Sequence, residues 1–213
     1  MQLSSFVLTE VFLHQTHQNV CDFEEILNYL QDFKWNELDS GENLHIFPEL
    51  FLCGYPLQDL CLQQSFIEKY HDLLDKIDIW AQTWTPENSH TLLLGGLEYE
   101  YIDPALPHSI RNVVYRLEPG KQLKAVYTKR LLPNYDIFDE KKYFSAGKES
   151  CVLDIYGKKI GLLICEDMWT SNVHDLDPCD DLHQHCLNNN IKLDALVNVS
   201  ASPYLVDKNL TRI

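Results

Sequence analysis

A short apolar run that ends at a cysteine constrains most strongly how this chain can fold. Residues 160–164 (Ile-Gly-Leu-Leu-Ile) carry no polar side chain, which is typical of a strand buried on both faces of a sheet. Cys165 follows directly, and the chain then continues with Glu, Asp, Met and Trp at 166–169. A thiol at the carboxyl end of a buried strand is well placed to act as a nucleophile. The alternative is an inert core cysteine, because cysteine is among the most buried residue types.

The composition is that of a globular protein with an acidic surface. The chain has 213 residues, 45% of them hydrophobic, a formal net charge of −15 and a pI near 4.8. This length suits one domain with a substantial core, which we place at residues 1–213. A charge of this sign argues against a nucleic acid or an anionic membrane surface as a partner.

The cysteines and the amino terminus predict a cytoplasmic protein with reduced thiols. The start of the chain lacks the cationic and apolar pattern of a signal peptide, and no segment has the roughly 20 apolar residues that span a bilayer. The cysteines show no regular spacing and no CxxC pair, unlike a disulfide framework. They are Cys21, Cys53, Cys61, Cys151, Cys165, Cys179 and Cys186.

Apolar periodicity predicts strands that alternate with helices and, in the middle of the chain, pair as hairpins. This order indicates α/β layers with a mixed sheet system inside and helices outside. Residues 97–108, which include Tyr99 and Tyr101, are predicted to form a polar loop, and residues 129–150 lack periodicity. The predicted strands are 3–13, 43–47, 91–97, 112–117, 123–127, 152–155, 159–164 and 195–199, and the predicted helices are 20–30, 65–84 and 179–190.

Two other predicted strands also end at a residue able to carry chemistry. Glu49 follows the second strand in an almost wholly apolar setting, where burial would favour the uncharged carboxyl group and suit a general acid or base. A glutamate that faces water is the alternative. Lys129 follows the fifth strand and could stabilise a thiolate and an oxyanion, although lysines are mostly solvated. Asp139 and Glu140 are close enough in sequence to pair with it.

The three strand ends together resemble the nitrilase (carbon–nitrogen hydrolase) superfamily, whose catalytic triad is Glu–Lys–Cys. The resemblance lies in the motifs FPELFLCGYP, YTKRLLPNY and ICEDMW, in that order, with SASPY at 200–204 as a fourth segment. A finer resemblance is to the glutaminase domain of glutamine-dependent NAD+ synthetase. It rests on GYPLQDL at 54–60, LPNYDIFDEKKYFSAGK at 132–148 and CEDMW at 165–169, and it covers essentially the whole chain.

This resemblance implies a role for each matching residue. Cys165 would be the nucleophile that forms a thioester with glutamine, Glu49 the general base and Lys129 the cation that stabilises the oxyanion. The backbone N–H of Glu166 would complete the oxyanion hole, and Glu140 would orient Lys129. The residues expected to hold the amino-acid end of glutamine are Tyr135, Ser202 and Lys208.

The resemblance also implies an architecture and a partner. The fold would be a four-layer α-β-β-α sandwich, incomplete at its carboxyl terminus and prone to self-association as a homo-oligomer. A synthetase domain would use ATP and Mg²⁺ and consume the ammonia by amidating deamido-NAD. The Ser-Gly-Gly-x-Asp-Ser signature of such a domain is not in this sequence. The glutaminase half itself needs no cofactor. A stand-alone amidase and a non-catalytic, fold-only fragment are the alternatives.

One cluster of potential metal ligands lies near the predicted third helix. It comprises Cys179, His183, His185 and Cys186, with His174 nearby. Zinc ligands usually come in better separated pairs. We therefore interpret the segment as a surface helix and predict no metal site there.

Overall fold

Two β-sheets lie face to face in the middle of the molecule, and helices cover their outer surfaces. The computed structural model describes residues 9–17, 19–38, 41–103, 106–135, 138–169 and 175–201. No helix within these ranges is both long and apolar enough to cross a bilayer.

In the part of the chain that the structure describes, the larger sheet has five strands in sequence order. The first three run parallel, and the fourth and fifth are each antiparallel to their predecessor, so β2 and β5 end at the same edge of the sheet. The strands are β1 (Thr9–Leu13), β2 (Glu42–Ile46), β3 (Ser89–Asp103), β4 (Leu106–Leu117) and β5 (Lys124–Thr128).

Among the described residues, the smaller sheet contains the strands β6 (Cys151–Ile155), β7 (Lys158–Ile164) and β8 (Ala195–Val199). β6 and β7 form the predicted hairpin around Tyr156 and Gly157, whereas β7 and β8 are parallel. The β7 residues from Ile160 to Ile164 are all buried, which confirms the expectation from their apolar run.

The α-helices within the described ranges begin and end close to the predicted positions. They are α1 (Phe23–Asp32), α2 (Gln64–Thr83) and α3 (Pro178–Asn188). The Asp22 side chain accepts a hydrogen bond from the N–H of Glu25 and caps α1. Asp177 caps α3, whose first residue is proline, and both features are typical of helix starts. Short 3-10 helices lie at Trp35–Glu37, Gln58–Leu62, Glu140–Lys142 and Cys165–Met168.

Three separate apolar clusters establish the order of the layers. The largest fills the space between α1 and α2 and one face of the larger sheet, with Ile26 and Leu92 among its members. The second, which includes Val114 and Leu162, lies between the sheets. The third joins Leu163 to Leu182 of α3 on the outer face of the smaller sheet. The layers therefore run α-β-β-α, as predicted.

The predicted polar loop at 97–108 is wrong. β3 continues through Tyr99 and Tyr101 to Asp103, and β4 begins at Leu106. Tyr99 is partly buried, and its hydroxyl donates a hydrogen bond to the carbonyl of Cys61 at 2.8 Å. Alternating glutamates made this stretch look like a loop, but on a sheet with one solvated face such alternation is also compatible with a strand.

Candidate active site

Glu49 is held in a tight turn that follows β2. The backbone of Leu50 has a φ of +52°, and the turn lies so close to β3 that a Cβ atom on Gly95 would collide with Pro48 and Leu50. Only glycine therefore fits at position 95 without a shift of the backbone. The glutamate is 2% exposed, so this turn places a carboxylate inside the protein.

Three donors satisfy the buried carboxylate of Glu49. Oε1 accepts hydrogen bonds from Asn112 Nδ2 and from Lys129 Nζ, both at 2.8 Å. Oε2 accepts from the backbone N–H of Ala201 at 3.0 Å. These donors come from β4, from the end of β5 and from the segment after β8. The carboxylate thus joins the two sheets at their carboxyl-terminal edge.

Lys129 is 1% exposed and lies between two carboxylates. Besides its bond to Glu49, Nζ donates a hydrogen bond to Glu140 Oε1 at 2.9 Å. Burial by itself would lower the pKa of Lys129, but the charges of Glu49 and Glu140 outweigh it and raise that pKa above the usual value for lysine. The ammonium group therefore keeps its proton although it is buried.

Glu140 begins a short 3-10 helix inside the segment that lacks sequence periodicity. Its N–H donates to the carbonyl of Pro133 at 3.0 Å, and its Oε1 also accepts from the hydroxyl of Tyr55 at 3.2 Å. Burial raises the pKa of Glu140, Lys129 opposes the shift, and the charge of Glu49 adds to it. Two buried carboxyl groups share one ammonium ion, so a proton is easier to keep on Glu140 than on an ordinary glutamate.

Cys165 is the first residue after β7 and opens the 3-10 helix that ends at Met168. Its φ of +47° is in the left-handed region, which residues other than glycine rarely adopt and which is found disproportionately at functional sites. A charge on its sulfur raises the pKa of Lys129, Tyr55 and Tyr135. The thiol therefore lies within electrostatic range of all three.

Glu166 and Tyr135 form a pair beside the cysteine. The hydroxyl of Tyr135 lies 3.0 and 2.9 Å from the two carboxylate oxygens of Glu166. Glu166 is buried, whereas Tyr135 is 46% exposed. Burial, together with this hydrogen bond, raises the pKa of Tyr135 to about 12. The pair presents a negatively charged group next to Cys165, at the rim of the site.

Asp167 secures the turn that carries Cys165. Its Oδ1 accepts from the N–H groups of Arg130 and Leu131 at 3.0 and 2.7 Å. Its Oδ2 accepts from the N–H of Ile164 at 3.1 Å and from the hydroxyl of Tyr127 at 2.8 Å. Burial raises the pKa of Asp167, and these hydrogen bonds oppose the rise.

The predicted site residues that the structure describes lie together. Lys129 donates hydrogen bonds to both Glu49 and Glu140, and Cys165 lies within electrostatic range of Lys129. Ser202 and Lys208 are outside the described residues. The sequence interpretation missed Asn112, Tyr55 and Asp167. Of these, only Asp167 offered a signal, because it is a carboxylate directly after an apolar strand.

The potential metal ligands near α3 have other contacts. Cys179 Sγ donates a hydrogen bond to the carbonyl of Asp167 at 3.6 Å, and Cys186 packs in the apolar cluster under the helix. His174 is outside the described residues. Among those that are described, no group of three or more His, Cys, Asp or Glu side chains is arranged to hold a metal ion.

A strand-end cysteine beside a buried Glu–Lys–Glu cluster, in an α-β-β-α sandwich, agrees with the family that the chain matches. Residues 12–174 match the carbon–nitrogen hydrolase family. The chain therefore belongs to this family, which confirms the class of enzyme expected from its motifs.

Within the family, the chain is similar to glutamine-dependent NAD+ synthetases. It is 35% identical to that of Thermotoga maritima over 202 residues, which are 95% of this chain and 31% of the relative. It is 33% identical to that of Synechocystis sp. over 178 residues, which are 81% of this chain and 30% of the relative. The chain thus spans about a third of the length of these relatives.

Solved structures show the same fold. The glutamine-dependent NAD+ synthetase of Acinetobacter baumannii aligns with a TM-score of 0.70 and 25% identity over 95% of this chain and 34% of the other. An amidase from Nesterenkonia sp. aligns with a TM-score of 0.66 and 19% identity over 97% of this chain and 72% of the other. At that identity, the amidase is evidence for the fold alone.

Proposed function

We propose that this chain is a glutaminase, the ammonia-producing part of a glutamine-dependent NAD+ synthetase, with Cys165 as its nucleophile. The observation that carries the proposal is the buried ammonium group of Lys129, held between Glu49 and Glu140 within electrostatic range of a strand-end thiol. Burying three ionisable side chains is expensive and is common at catalytic sites.

The first half of the reaction forms a thioester and releases ammonia. Glu49 takes the proton of Cys165, and the sulfur attacks the carboxamide carbon of glutamine. The carbonyl π electrons move to oxygen and make a tetrahedral oxyanion. Glu49 then returns the proton to the nitrogen, the C–N bond breaks, and ammonia leaves.

Lys129 and Glu166 stabilise the oxyanion. An ammonium group has three N–H donors, and Glu49 and Glu140 accept two of those of Lys129, which leaves the third for the substrate oxygen. The backbone N–H of Glu166, directly after the nucleophile, is the second donor. A donor of this kind lowers the barrier by about 3 to 4 kcal/mol.

The second half of the reaction regenerates the thiol. Glu49 removes a proton from water as the water oxygen attacks the thioester carbon. The second tetrahedral intermediate collapses with cleavage of the C–S bond, and Glu49 gives its proton to the departing sulfur. Glutamate leaves, and the net reaction is glutamine plus water to glutamate plus ammonia.

The groups around the site suit an α-amino acid amide. The carboxylate of Glu166 and the hydroxyl of Tyr135 would bind the α-ammonium group of glutamine, because together they present negative charge and an acceptor at the rim. Ser202 and Lys208 would bind the α-carboxylate. A simple aliphatic amide offers no partner to these groups, so they would favour glutamine over it.

The synthetase domain of such an enzyme would be the partner of this chain. It would bind ATP and Mg²⁺ and use the ammonia to amidate deamido-NAD, whereas the glutaminase, residues 1–213, would work without a cofactor. The support is the similarity to NAD+ synthetases about three times as long as this chain. We further propose that the protein is cytoplasmic and forms a homo-oligomer.

Ammonia release from glutamine by the purified chain tests the glutaminase proposal. We expect turnover by the wild type and none by Cys165→Ala. The matched control is Cys151→Ala, a substitution at a half-buried cysteine on β6. This variant should keep the activity. No release from well-folded wild-type protein would reject the proposal, and hydrolysis of propionamide in preference to glutamine would favour a stand-alone amidase instead.

A further inference from the structure

One carboxylate connects the two strand ends that carry the proposed nucleophile and its cation. Asp167 is two residues after Cys165, and two of its four hydrogen-bond donors, the N–H groups of Arg130 and Leu131, directly follow Lys129. A third donor, the hydroxyl of Tyr127, comes from the residue two positions before Lys129. This side chain thus sets the position of the β7 turn, which follows β7 and carries Cys165, relative to the end of β5.

The fourth donor belongs to the turn itself. The N–H of Ile164, the last residue of β7, lies 3.1 Å from Asp167 Oδ2. The carboxylate therefore spans Cys165 from the residue before it to the second residue after it. This bond holds the turn closed, with Cys165 in its left-handed backbone conformation.

We propose that Asp167 is a positioning residue that fixes the sulfur of Cys165 against the ammonium group of Lys129 by tying the β7 turn to the end of β5. The inference rests on the proposed glutaminase function for its catalytic consequence, but the geometry that it describes can be measured without turnover.

The chemistry of the contact requires an ionised carboxylate. Its two oxygens accept up to four hydrogen bonds and here accept four, three of them from buried backbone N–H groups. An asparagine of the same size would keep one acceptor oxygen and turn an N–H₂ group toward the other two donors. The N–H of Ile164 would then face a donor, and an unpaired buried N–H costs about 1 to 3 kcal/mol.

Helix α3 supports the same contact from outside. Cys179, near its start, donates to the carbonyl of Asp167. Arg130, whose N–H binds Asp167, extends its guanidinium group to Asp181 of α3 with a distance of 2.6 Å from Nη2 to Oδ2. Asp167 is 1% exposed at the meeting point of β5, β7 and α3, so its effect on Cys165 is exerted through packed neighbours.

Alkylation of Cys165 by iodoacetamide as a function of pH tests the proposal. Mass spectrometry of the peptide that contains Cys165 separates it from the other cysteines. In Asp167→Asn we expect slower alkylation near neutral pH and a midpoint shifted to higher pH, because the thiolate moves away from Lys129. Glutaminase kcat should fall by about 100-fold, as expected for a displacement of about 1 Å, while KM changes little.

Faster alkylation of Cys165 in Asp167→Asn, with a midpoint at lower pH, would overturn the proposal. If Asp167 acted on Cys165 only through its charge, its neutralisation would favour the thiolate and speed alkylation. An unchanged profile would also overturn it, because the turn would then hold its position without the carboxylate. A wild type that shows the alkylation profile but no glutaminase activity would reject the proposed function and leave the positioning role supported.

Two control variants separate positioning from loss of stability. Tyr70→Phe removes a buried hydroxyl that bonds to the backbone of Leu97 on β3, in the helix-facing layer, so it should lower the free energy of unfolding without a change in the alkylation profile. Tyr127→Phe removes one of the four donors to Asp167 and should shift the midpoint less than Asp167→Asn does. A midpoint shift in Tyr70→Phe as large as that in Asp167→Asn would contradict the positioning role.

Discussion

Lys129 Nζ lies 2.8 Å from Glu49 Oε1, although 80 positions separate the two residues in the sequence. Neither side chain has more than a trace of exposed surface, so the attraction between the charges is only weakly screened. Glu140 lies against the same ammonium group. When all three groups are ionised, the cluster therefore has one more negative than positive charge. A cluster with this charge can readily accept and release a proton.

Lys129→Met should abolish activity and destabilise the fold. The substitution leaves two buried carboxylates facing each other without a cation, and breaking a buried ion pair costs about 3 to 5 kcal/mol. It also removes an oxyanion donor, so we expect a loss of kcat of about 100-fold or more. Ammonia release and urea unfolding measure the two effects.

The control for this variant is Lys148→Met, at an exposed lysine. It makes the same change of side chain at the surface and should alter neither activity nor unfolding appreciably. A Lys129→Met enzyme that kept most of its kcat would show that the ammonium group does not serve the reaction.

Glu140→Gln should change how stability depends on pH. Because burial raises the pKa of Glu140, the folded protein keeps a proton there at pH values where the unfolded chain, with an ordinary glutamate pKa, has released it. Its stabilising contribution is therefore present at low pH and is lost as the pH rises through the raised pKa. Glutamine does not titrate, so it lacks this loss.

Urea unfolding of the wild type and Glu140→Gln at about pH 5 and about pH 8 measures this difference. We expect the free energy of unfolding of the variant to increase relative to that of the wild type as the pH rises, which means that the variant becomes relatively more stable. A relative stability that stays constant or falls with rising pH would mean that Lys129 dominates and holds Glu140 ionised throughout.

Asn112→Leu should weaken catalysis by freeing the carboxylate of Glu49. Asn112 Nδ2 donates to Glu49 Oε1 at 2.8 Å, and loss of a hydrogen bond to a buried charge costs about 1.5 to 3 kcal/mol. We expect a lower kcat and a lower free energy of unfolding, measured as for Lys129→Met.

Asn43→Leu is the matched control for Asn112→Leu. Asn43 is also a fully buried asparagine, on β2, but neither of its amide atoms has a hydrogen-bond partner among the described residues. The substitution should preserve activity and leave stability equal or higher, since no buried bond is broken. Equal losses of kcat in the two variants would show that the hydrogen bond from Asn112 to Glu49 does not contribute to catalysis.

The fold and the strand-end residues were predictable because both depend on local patterns. The apolar run at 160–164 indicated a buried strand, and periodicity located the described α-helices and at least part of each described strand, but none of the 3-10 helices. The loop predicted at 97–108 was wrong. The hydroxyl of Tyr99, a partly buried residue, donates a hydrogen bond to the carbonyl of Cys61, and periodicity within one segment does not report such a contact between residues 38 positions apart.

The site was only partly predictable, for the same reason. Glu49, Lys129 and Cys165 each follow a predicted strand, so position alone drew attention to them. Asn112 lies within a strand, and nothing in its neighbourhood distinguishes it from other polar residues until β4 pairs with β3, against which the turn with Glu49 lies. The contacts of Asp167 with Arg130 and Leu131 likewise exist only once the two sheets have packed together.

Three buried histidines that lie in a row should remain neutral at pH values well below the usual pKa of histidine. His45 lies 2.9 Å from His14 and 3.1 Å from His90 between ring nitrogens. Burial lowers the pKa of His14 to about 4 and, with the charges of its two neighbours, that of His45 to about 3. Each neutral ring has one donor and one acceptor, so protonation of a ring would set two donors against each other.

Histidine ring NMR measures this directly. We expect the signals of His14 and His45 not to titrate between about pH 8 and pH 5.5, while the same rings in urea-unfolded protein titrate near 6.5. Burial also lowers the pKa of His90, whose signal should titrate below that of the unfolded chain. The unfolded chain then binds protons that the folded protein does not bind. The free energy of unfolding should therefore decrease as the pH falls from about 6.5 toward 4, by about 1.4 kcal/mol for each unit of pKa shift. Buried rings that titrate near 6.5 would contradict the prediction.

Glu166→Gln should raise KM for glutamine more than it lowers kcat, because the proposed role of the carboxylate is to bind the α-ammonium group. Loss of a charge-assisted hydrogen bond of about 1.5 to 3 kcal/mol corresponds to about 10- to 100-fold in KM. Tyr135→Phe, which removes the hydroxyl bonded to Glu166, should act in the same direction more weakly. Propionamide has no ammonium group, so its hydrolysis is the internal control and should be little affected. If kcat fell equally for both substrates, the side chain of Glu166 would serve to position the backbone N–H of the oxyanion hole rather than to recognise the amino acid.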